Sequence, residues 1–312
     1  MVPVYFNEGS LQELHRRLAI VAGQYADRSF EFIMVDDGSR DGSFAVLAGL
    51  AKADPRVRVL RLSRNFGSNA ALLAGLGVTA GDAVICISAD LQDPPEIIPR
   101  LIEEWDKGAE VVLAQRNSRQ DPWISRLFAS AFNHLFRYLV APDFPKEGMD
   151  CVLLDRRAVT PIVRMAEKNS FLFGQVLWVG FSRAFIGYDR ESRREGESRW
   201  TFAKKVKYFI DAFSAFSYLP LRASTFIGLT VASGGFLYAL VVIAQRLFFA
   251  REMPGFAALM VVLLVTSGTQ LVLFGVLGEY LWRVLEEVRR RPPYIVAASL
   301  NVDAPAEADP GR

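Results

Sequence analysis

The run Ser88-Ala89-Asp90-Leu91-Gln92-Asp93-Pro94-Pro95 places an acidic cluster where an apolar stretch, Ala83 to Ile87, gives out. If that stretch is a strand of an open α/β sheet, the cluster lies at the strand's carboxyl end, the edge where such sheets bind ligands. Carboxylates there can hold a hard cation against phosphate oxygens. Asp90 and Asp93 are therefore candidates for a metal-bound diphosphate. Asp93 before two prolines also reads as a helix start, with Asp93 as N-cap and proline at the first helical position. That accounts for Asp93 and leaves Asp90 unexplained. A second acidic pair, Asp36 and Asp37, opens the segment Asp36-Asp37-Gly38-Ser39-Arg40-Asp41-Gly42 after another apolar run. Adjacent carboxylates before a Gly-Ser turn suit the polar groups of a base or ribose, whereas a helix start at Ser39 or Asp41 accounts only for the later residues. Pro3-Val4-Tyr5-Phe6-Asn7-Glu8 gives a third polar ending. Lined along one sheet edge, the three sites form a crevice for base, ribose and diphosphate.

The elements that must position them follow from periodicity. Val2 to Phe6, Phe30 to Val35, Val57 to Leu62, Ala83 to Ile87 and Glu110 to Ala114 read as strands, mostly apolar on both faces as a covered parallel sheet requires. Between them lie helices. The first carries Leu11, Leu14, Leu18 and Val21 on one face, with Ser10 and Glu13 as a capping box. Others span Ser43 to Ala53, Ser68 to Thr79 and Pro95 to Lys107. This alternation predicts a doubly wound, mostly parallel sheet. Trp123 to Leu139 reads as a further helix. Tyr188 to Arg199 turns polar and basic, and Thr201 to Leu219 has the amphipathic pattern of a helix in a membrane interface.

The hydrophobic fraction of the 312-residue chain, 51%, is high for a soluble protein, and the excess is local. Ala223 to Gln245 and Met253 to Gly278 carry no formal charge and each exceeds the ~20 residues that cross a bilayer. They predict a two-helix transmembrane hairpin, with spans at about 223–245 and 254–278. Lys204, Lys205, Lys207 and Arg222 precede it, and Arg283, Arg289, Arg290 and Arg291 follow it, against Arg246 and Arg251 in the link. The positive-inside rule then puts the bulk of the chain and both termini in the cytoplasm. Cys86 and Cys151 lack metal-ligand spacing and read as reduced core residues. The net charge of +2 argues neither for nor against nucleic acid. The domains expected are a catalytic unit over 1–165, a basic loop with interfacial helices over 166–221, the hairpin over 222–283 and a tail over 284–312 with a disordered end.

The ordered set Val35-Asp36-Asp37-Gly38-Ser39, Leu62-Ser63-Arg64-Asn65-Phe66-Gly67, Asp90-Leu91-Gln92-Asp93-Pro94-Pro95, Gly278-Glu279-Tyr280 and Arg290-Arg291-Pro292-Pro293-Tyr294 resembles family 2 glycosyltransferases that use polyisoprenyl phosphates. It is similar to the dolichol-phosphate mannose synthase and bactoprenol glucosyltransferase group over nearly the whole chain. The resemblance implies a GT-A, Rossmann-like catalytic domain, a divalent cation (Mg2+ or Mn2+) and inverting transfer from a UDP- or GDP-linked sugar. It implies a multi-pass inner-membrane protein, a homo-oligomer, with no nucleic acid partner. By the same resemblance Pro3, Tyr5, Glu8, Asp36 and Asp37 contact the nucleoside, and Asp90, Gln92 and Asp93 serve the metal and diphosphate. Arg116, Arg126 and Ser130 take the acceptor phosphate, Arg193 and Arg194 close over the diphosphate, and Asp150 orients the sugar or acts as base. Ser88 stands where many relatives carry Asp, the first strand is shorter than theirs, and Phe6 separates Tyr5 from Asn7.

A phosphate acceptor suits this residue set. Its oxygen is already a nucleophile and needs no general base, so the barrier is bringing two like-charged groups together; arginines and a cation offset that repulsion. A processive synthase is disfavoured because Gly196 stands where the Gln of a Gln-x-x-Arg-Trp motif belongs, ahead of Arg199-Trp200. A dinucleotide-dependent oxidoreductase lacks its Gly-x-Gly-x-x-Gly after the first strand. A non-catalytic nucleotide-sugar partner is the remaining alternative, motivated by Ser88.

Overall fold

The computed structural model describes residues 1–117, 149–165, 172–191, 219–249 and 255–302. The chain divides into two units, Met1–Ala212 with Pro292–Arg312, and Phe213–Arg291.

In the first unit β1 (Val2–Val4), β2 (Phe32–Asp36) and β3 (Val57–Leu62) pair in parallel, with α1 (Leu11–Ala22) and α2 (Ser43–Ala53) as crossovers. α3 (Ser68–Val78) leads to β4 (Ala83–Cys86); a 3-10 turn at Pro95–Ile97 and α4 (Ile98–Asp106) lead to β5 (Val111–Arg116). The remainder is β6 (Met149–Asp155), α5 (Arg156–Met165), α6 (Leu172–Trp178), β7 (Arg183–Tyr188) and β8 (Val296–Leu300). Strand order is β1-β2-β3-β8 in one sheet and β4-β6-β5-β7 in the other. Met1 joins the two. Its amino group donates to Ile85 O at 2.7 Å and its carbonyl accepts from Ile87 N at 3.1 Å, the bond pattern of a parallel pair. Read across, the strands run β8-β3-β2-β1-β4-β6-β5-β7, and the winding reverses between β1 and β4.

Two features depart from the expected mostly parallel sheet. β6 lies antiparallel between β4 and β5, while β7 is parallel to β5. Cys151, Val152, Leu153 and Leu154 are all buried, and only a place between two strands with layers on both faces satisfies such a run. The other departure is β8, in the segment expected to be a tail. It pairs antiparallel with β3, and its burial alternates between half-buried and exposed, as an edge strand's does. Ile295 O accepts from Ser63 N at 2.9 Å, and Asn301 Nδ2 donates to Ala51 O at 2.8 Å and Val57 O at 2.9 Å.

Alternate residues of β2 supply two cores. Phe32 and Met34 join Leu14, Leu18 and Leu47 beneath α1 and α2, whereas Ile33 and Val35 face the other layer, where Val35 meets Gly75 of α3. Cys86 and Cys151 are both buried, as expected. Ser10 precedes α1 without capping it, and the Glu13 carboxylate pairs with Arg16 instead. The expected helices at Trp123–Leu139 and, up to residue 218, Thr201–Leu219 lie outside the described residues.

The second unit holds α7 (Leu219–Phe249) and α8 (Phe256–Val288). The two pack together where Leu273 approaches Gly228. Leu221–Gln245 is long and apolar enough to cross a membrane, and none of it is buried: Phe226, for example, is 72% exposed. The expected second span is helical from Phe256 onward and also exposes apolar side chains, Leu271 and Phe274 among them.

Asn301→Ala removes two bonds to backbone carbonyls at the sheet edge. It should lower stability by about 1–2 kcal/mol, a fall in Tm of roughly 2–8 °C by thermal melting. An unchanged melt would show that β8 is not held through Asn301.

Candidate active site

The loops that follow β1, β2 and β4 all emerge at the carboxyl edge, on either side of the point where the winding reverses. They are bonded to one another. Phe6 N donates to Ser39 Oγ at 3.0 Å, Asn7 N to Ser43 Oγ at 2.9 Å, and Gly42 N to Glu8 Oε2 at 2.9 Å. Phe6 takes a left-handed backbone, φ 58°, and Asn7 Oδ1 accepts from Tyr5 N at 3.0 Å, so the chain turns sharply after β1. The Ser10 hydroxyl reaches Ala89 O at 2.7 Å and ties this loop to the one after β4. Pro3 and Tyr5 are half-buried, Glu8 exposed, and the Tyr5 and Phe6 rings meet edge to face with centroids 4.6 Å apart.

The two carboxylates after β2 face inward. Asp36, 0% exposed, accepts from Ser39 N at 3.0 Å, and its other oxygen stands 3.4 Å from Arg61 Nε. Asp37, 3% exposed, accepts from Phe66 N at 2.7 Å and Gly67 N at 2.9 Å. It thereby holds the Ser63–Gly67 loop against its own turn. Gly38 permits the approach. Its φ is +66°, and a Cβ there would stand 2.5 Å from Arg64 C and 2.8 Å from Asn65 N, backbone atoms that cannot give way. Burial pushes the Asp37 carboxyl up to about 6, against the Phe66 and Gly67 amides that pull it down; the Asp36 charge adds to the rise.

After β4, Asp90 is half-buried and its Oδ1 accepts from Gln92 N at 3.2 Å. Leu91 between them takes φ 60°. Ser88 Oγ lies 3.0 Å from Asp90 Oδ1 and 2.6 Å from Asp93 Oδ2. Asp93 is 0% exposed, and its other oxygen accepts from the Tyr188 hydroxyl at the end of β7. It does not cap the helix start. Pro94 holds the N-cap place of the 3-10 turn, and the Asp93 side chain turns into the protein. Glu191 N donates to Gln92 O at 2.9 Å, and Arg17 pairs with both Glu191 and Glu96. Arg17, Glu96, Glu191 and Ser43 carry no motif of their own, and only a polar residue at the mouth of an apolar run could have flagged Ser43.

Arg116 ends β5, half-buried, and pairs in register with Tyr188. Asp150 lies in β6 at the same edge. Ala114 pairs with Cys151 and Gln115 with Met149, leaving Asp150 as the extra residue of a β-bulge, a device common beside active sites. Arg126, Ser130, Arg193 and Arg194 lie outside the described residues. Among the described residues no three His, Cys, Asp or Glu side chains group as a metal cage. An oxygen-only donor set led by Asp90 fits a hard cation of the kind held by one or two carboxylates and completed by substrate phosphates.

A carboxyl whose folded value lies near 6 rather than 3.8 binds its proton more tightly in the native state. Its contribution to stability is therefore present below about pH 4 and is lost as pH rises through about 6. Asp37→Asn should flatten that fall, read by denaturant melts at pH 4.5 and 7. An unaltered pH slope would refute the buried charge.

Residues 1–153 match the family model described as Glycosyl transferase family 2. An uncharacterized glycosyltransferase, YkcC, of Bacillus subtilis (strain 168) is 37% identical over 304 residues, 97% of this chain and 94% of that protein. The SfII prophage-derived bactoprenol glucosyl transferase of Shigella flexneri is 37% identical over 300 residues, 96% of this chain and 97% of its own. Among solved structures, glucosyl-3-phosphoglycerate synthase from Mycobacterium tuberculosis, in complex with Mn2+, uridine-diphosphate-glucose and phosphoglyceric acid, is similar with a TM-score of 0.47. That likeness covers 68% of this chain and 77% of that chain at 18% identity. With relatives of this identity along nearly its whole length, the chain belongs to glycosyl transferase family 2, as a glycosyltransferase of the group that includes the bactoprenol glucosyl transferases.

Proposed function

We propose that this enzyme transfers the sugar of a UDP- or GDP-linked donor, with inversion, to the phosphate of a polyisoprenyl phosphate at the cytoplasmic membrane face. Undecaprenyl phosphate is the proposed lipid and glucose the first sugar to test, in line with the names of the Shigella relatives. The observation that carries the reading is the bonding of the loops after β1, β2 and β4 into one edge at the winding reversal. That edge offers a continuous polar wall for base, ribose and diphosphate.

In this reading Pro3, Tyr5, Glu8, Asp36 and Asp37 form the nucleoside end, the two buried aspartates acting through the loops they fix. Asp90 and Gln92 stand at the diphosphate and would hold a Mg2+ or Mn2+ ion there. Such an ion, when bound, neutralises charge building on the departing nucleoside diphosphate. Arg116 together with Arg126 and Ser130 receives the acceptor phosphate, and its positive charge lowers the repulsion between phosphate and diphosphate. Asp150 orients the sugar, and Arg193 and Arg194 cover the diphosphate. The acceptor oxygen is itself the nucleophile, so no side chain has to remove a proton from it.

Both α7 and α8 are assigned to the membrane as a two-span hairpin, supported by their exposed apolar surfaces and the basic residues flanking them. Both flanks then face the cytoplasm with the catalytic unit.

Detergent-purified protein incubated with undecaprenyl phosphate, Mn2+ and a panel of radiolabelled nucleotide sugars should yield label that partitions into organic solvent. Asp90→Ala should abolish it. Nucleotide binding without lipid-linked label from any donor would overturn the reading.

A further inference from the structure

Nothing in the motif explains why Asp93 is more deeply buried than Asp90. Asp93 sits at 0% exposure between Ser88, which lies on its own loop, and Tyr188, which comes from β7, ninety-five residues on. Tyr188 is itself 3% exposed, with its ring in the apolar core and its hydroxyl engaged by a carboxylate. A chain of contacts thus runs Tyr188 to Asp93 to Ser88 to Asp90, ending at the half-buried carboxylate. Arg190 Nε stands 3.9 Å from Asp93 Oδ1, and Glu191 N bonds Gln92 O, so the end of β7 grips the loop at a second point. Arg17, buried and paired with Glu191 and Glu96, closes this grip from α1.

We infer that Tyr188 and Asp93 are positioning residues, and that Asp93 is a buried strut holding Ser88 and Asp90 in place rather than a ligand of the cation. The inference rests on the reading of Asp90 as the cation-facing residue. Outer partners of this kind orient a ligating carboxylate without touching the ion, and losing one typically weakens metal binding about 10- to 100-fold. It also gives Ser88 a task. A serine hydroxyl carries one proton, so it donates to one carboxylate at a time, and Ser88 stands within reach of both, 2.6 Å from Asp93 Oδ2 and 3.0 Å from Asp90 Oδ1.

The substitution Asp93→Asn separates strut from ligand. The amide keeps an oxygen for the Tyr188 hydroxyl and offers an N–H to Ser88 Oγ, leaving the serine proton for Asp90. Two measurements on the full-length protein in detergent test this: Mn2+ binding by electron paramagnetic resonance with UDP and, separately, GDP, and hydrogen exchange of the 87–97 segment without ligand. Tyr188→Phe should weaken Mn2+–nucleotide binding about tenfold and speed exchange of the segment, while Asp93→Asn stays within about threefold of wild type in both. Asp93→Asn losing Mn2+ as fully as Asp90→Ala, with exchange unchanged, would make Asp93 a ligand and overturn the inference. So would wild-type binding and exchange in Tyr188→Phe. If wild type bound neither nucleotide with Mn2+ but the exchange pattern held, the strut would stand and the proposed function would fall.

Discussion

Buried carboxylates that accept hydrogen bonds from neighbouring segments hold the carboxyl edge of the sheet together. Asp36, Asp37 and Asp93 are each removed from water, and each binds donors from its own turn or from a loop or strand distant in sequence. A buried charge is costly unless its hydrogen-bonding capacity is used; Asp36 and Asp37 use backbone amides, and Asp93 uses the hydroxyls of Ser88 and Tyr188. Asp37 recruits the amides of Phe66 and Gly67 and brings the loop before α3 against the turn after β2. The steric demand at Gly38 is the other half of the same contact, since the two backbones meet where no side chain fits.

The site is then a property of the sheet's winding. β1 and β4 are neighbours across the reversal, and the loops leaving them have no crossover helix between them to fill the space. Ser10 spans that space to Ala89, and Glu8 and Asn7 fasten the first loop to the second. The hydrogen bonds are individually modest, each contributing about 0.5–1.5 kcal/mol. Their joint effect is to hold the three loops in one arrangement.

β8 adds a constraint of another kind. It follows α8 in the chain yet belongs to the catalytic unit, where it completes the edge beyond β3 and bonds Ser63 at the entrance of the Ser63–Gly67 loop. The pair of apolar helices is therefore an excursion within one chain that leaves from and returns to the same unit. Pairing satisfies the β3 edge and leaves the sheet's open row of backbone donors and acceptors on the short strand β8.

Much of this was legible beforehand. Hydrophobic runs marked β1 to β5 and their helices to within a few residues, because apolar periodicity reports burial directly. The order of the acidic and glycine motifs placed three loops on one edge, and uncharged length marked the helical pair. The rest depended on distant partners. Asp93 read both as a local cap and as a metal candidate, and its burial between Ser88 and Tyr188 of β7 was in neither reading; Ser10 read as half of a capping box, yet its hydroxyl crosses to Ala89. β6 and β8 looked like an apolar stretch and a tail, because which strand lies between which is fixed by pairing across long separations rather than by local pattern. Residue types and spacing thus pointed to the kind of chemistry and its edge, whereas the tertiary structure alone decided which carboxylates are buried against neighbouring segments and which stays partly open, since that choice belongs to contacts between segments far apart in the chain.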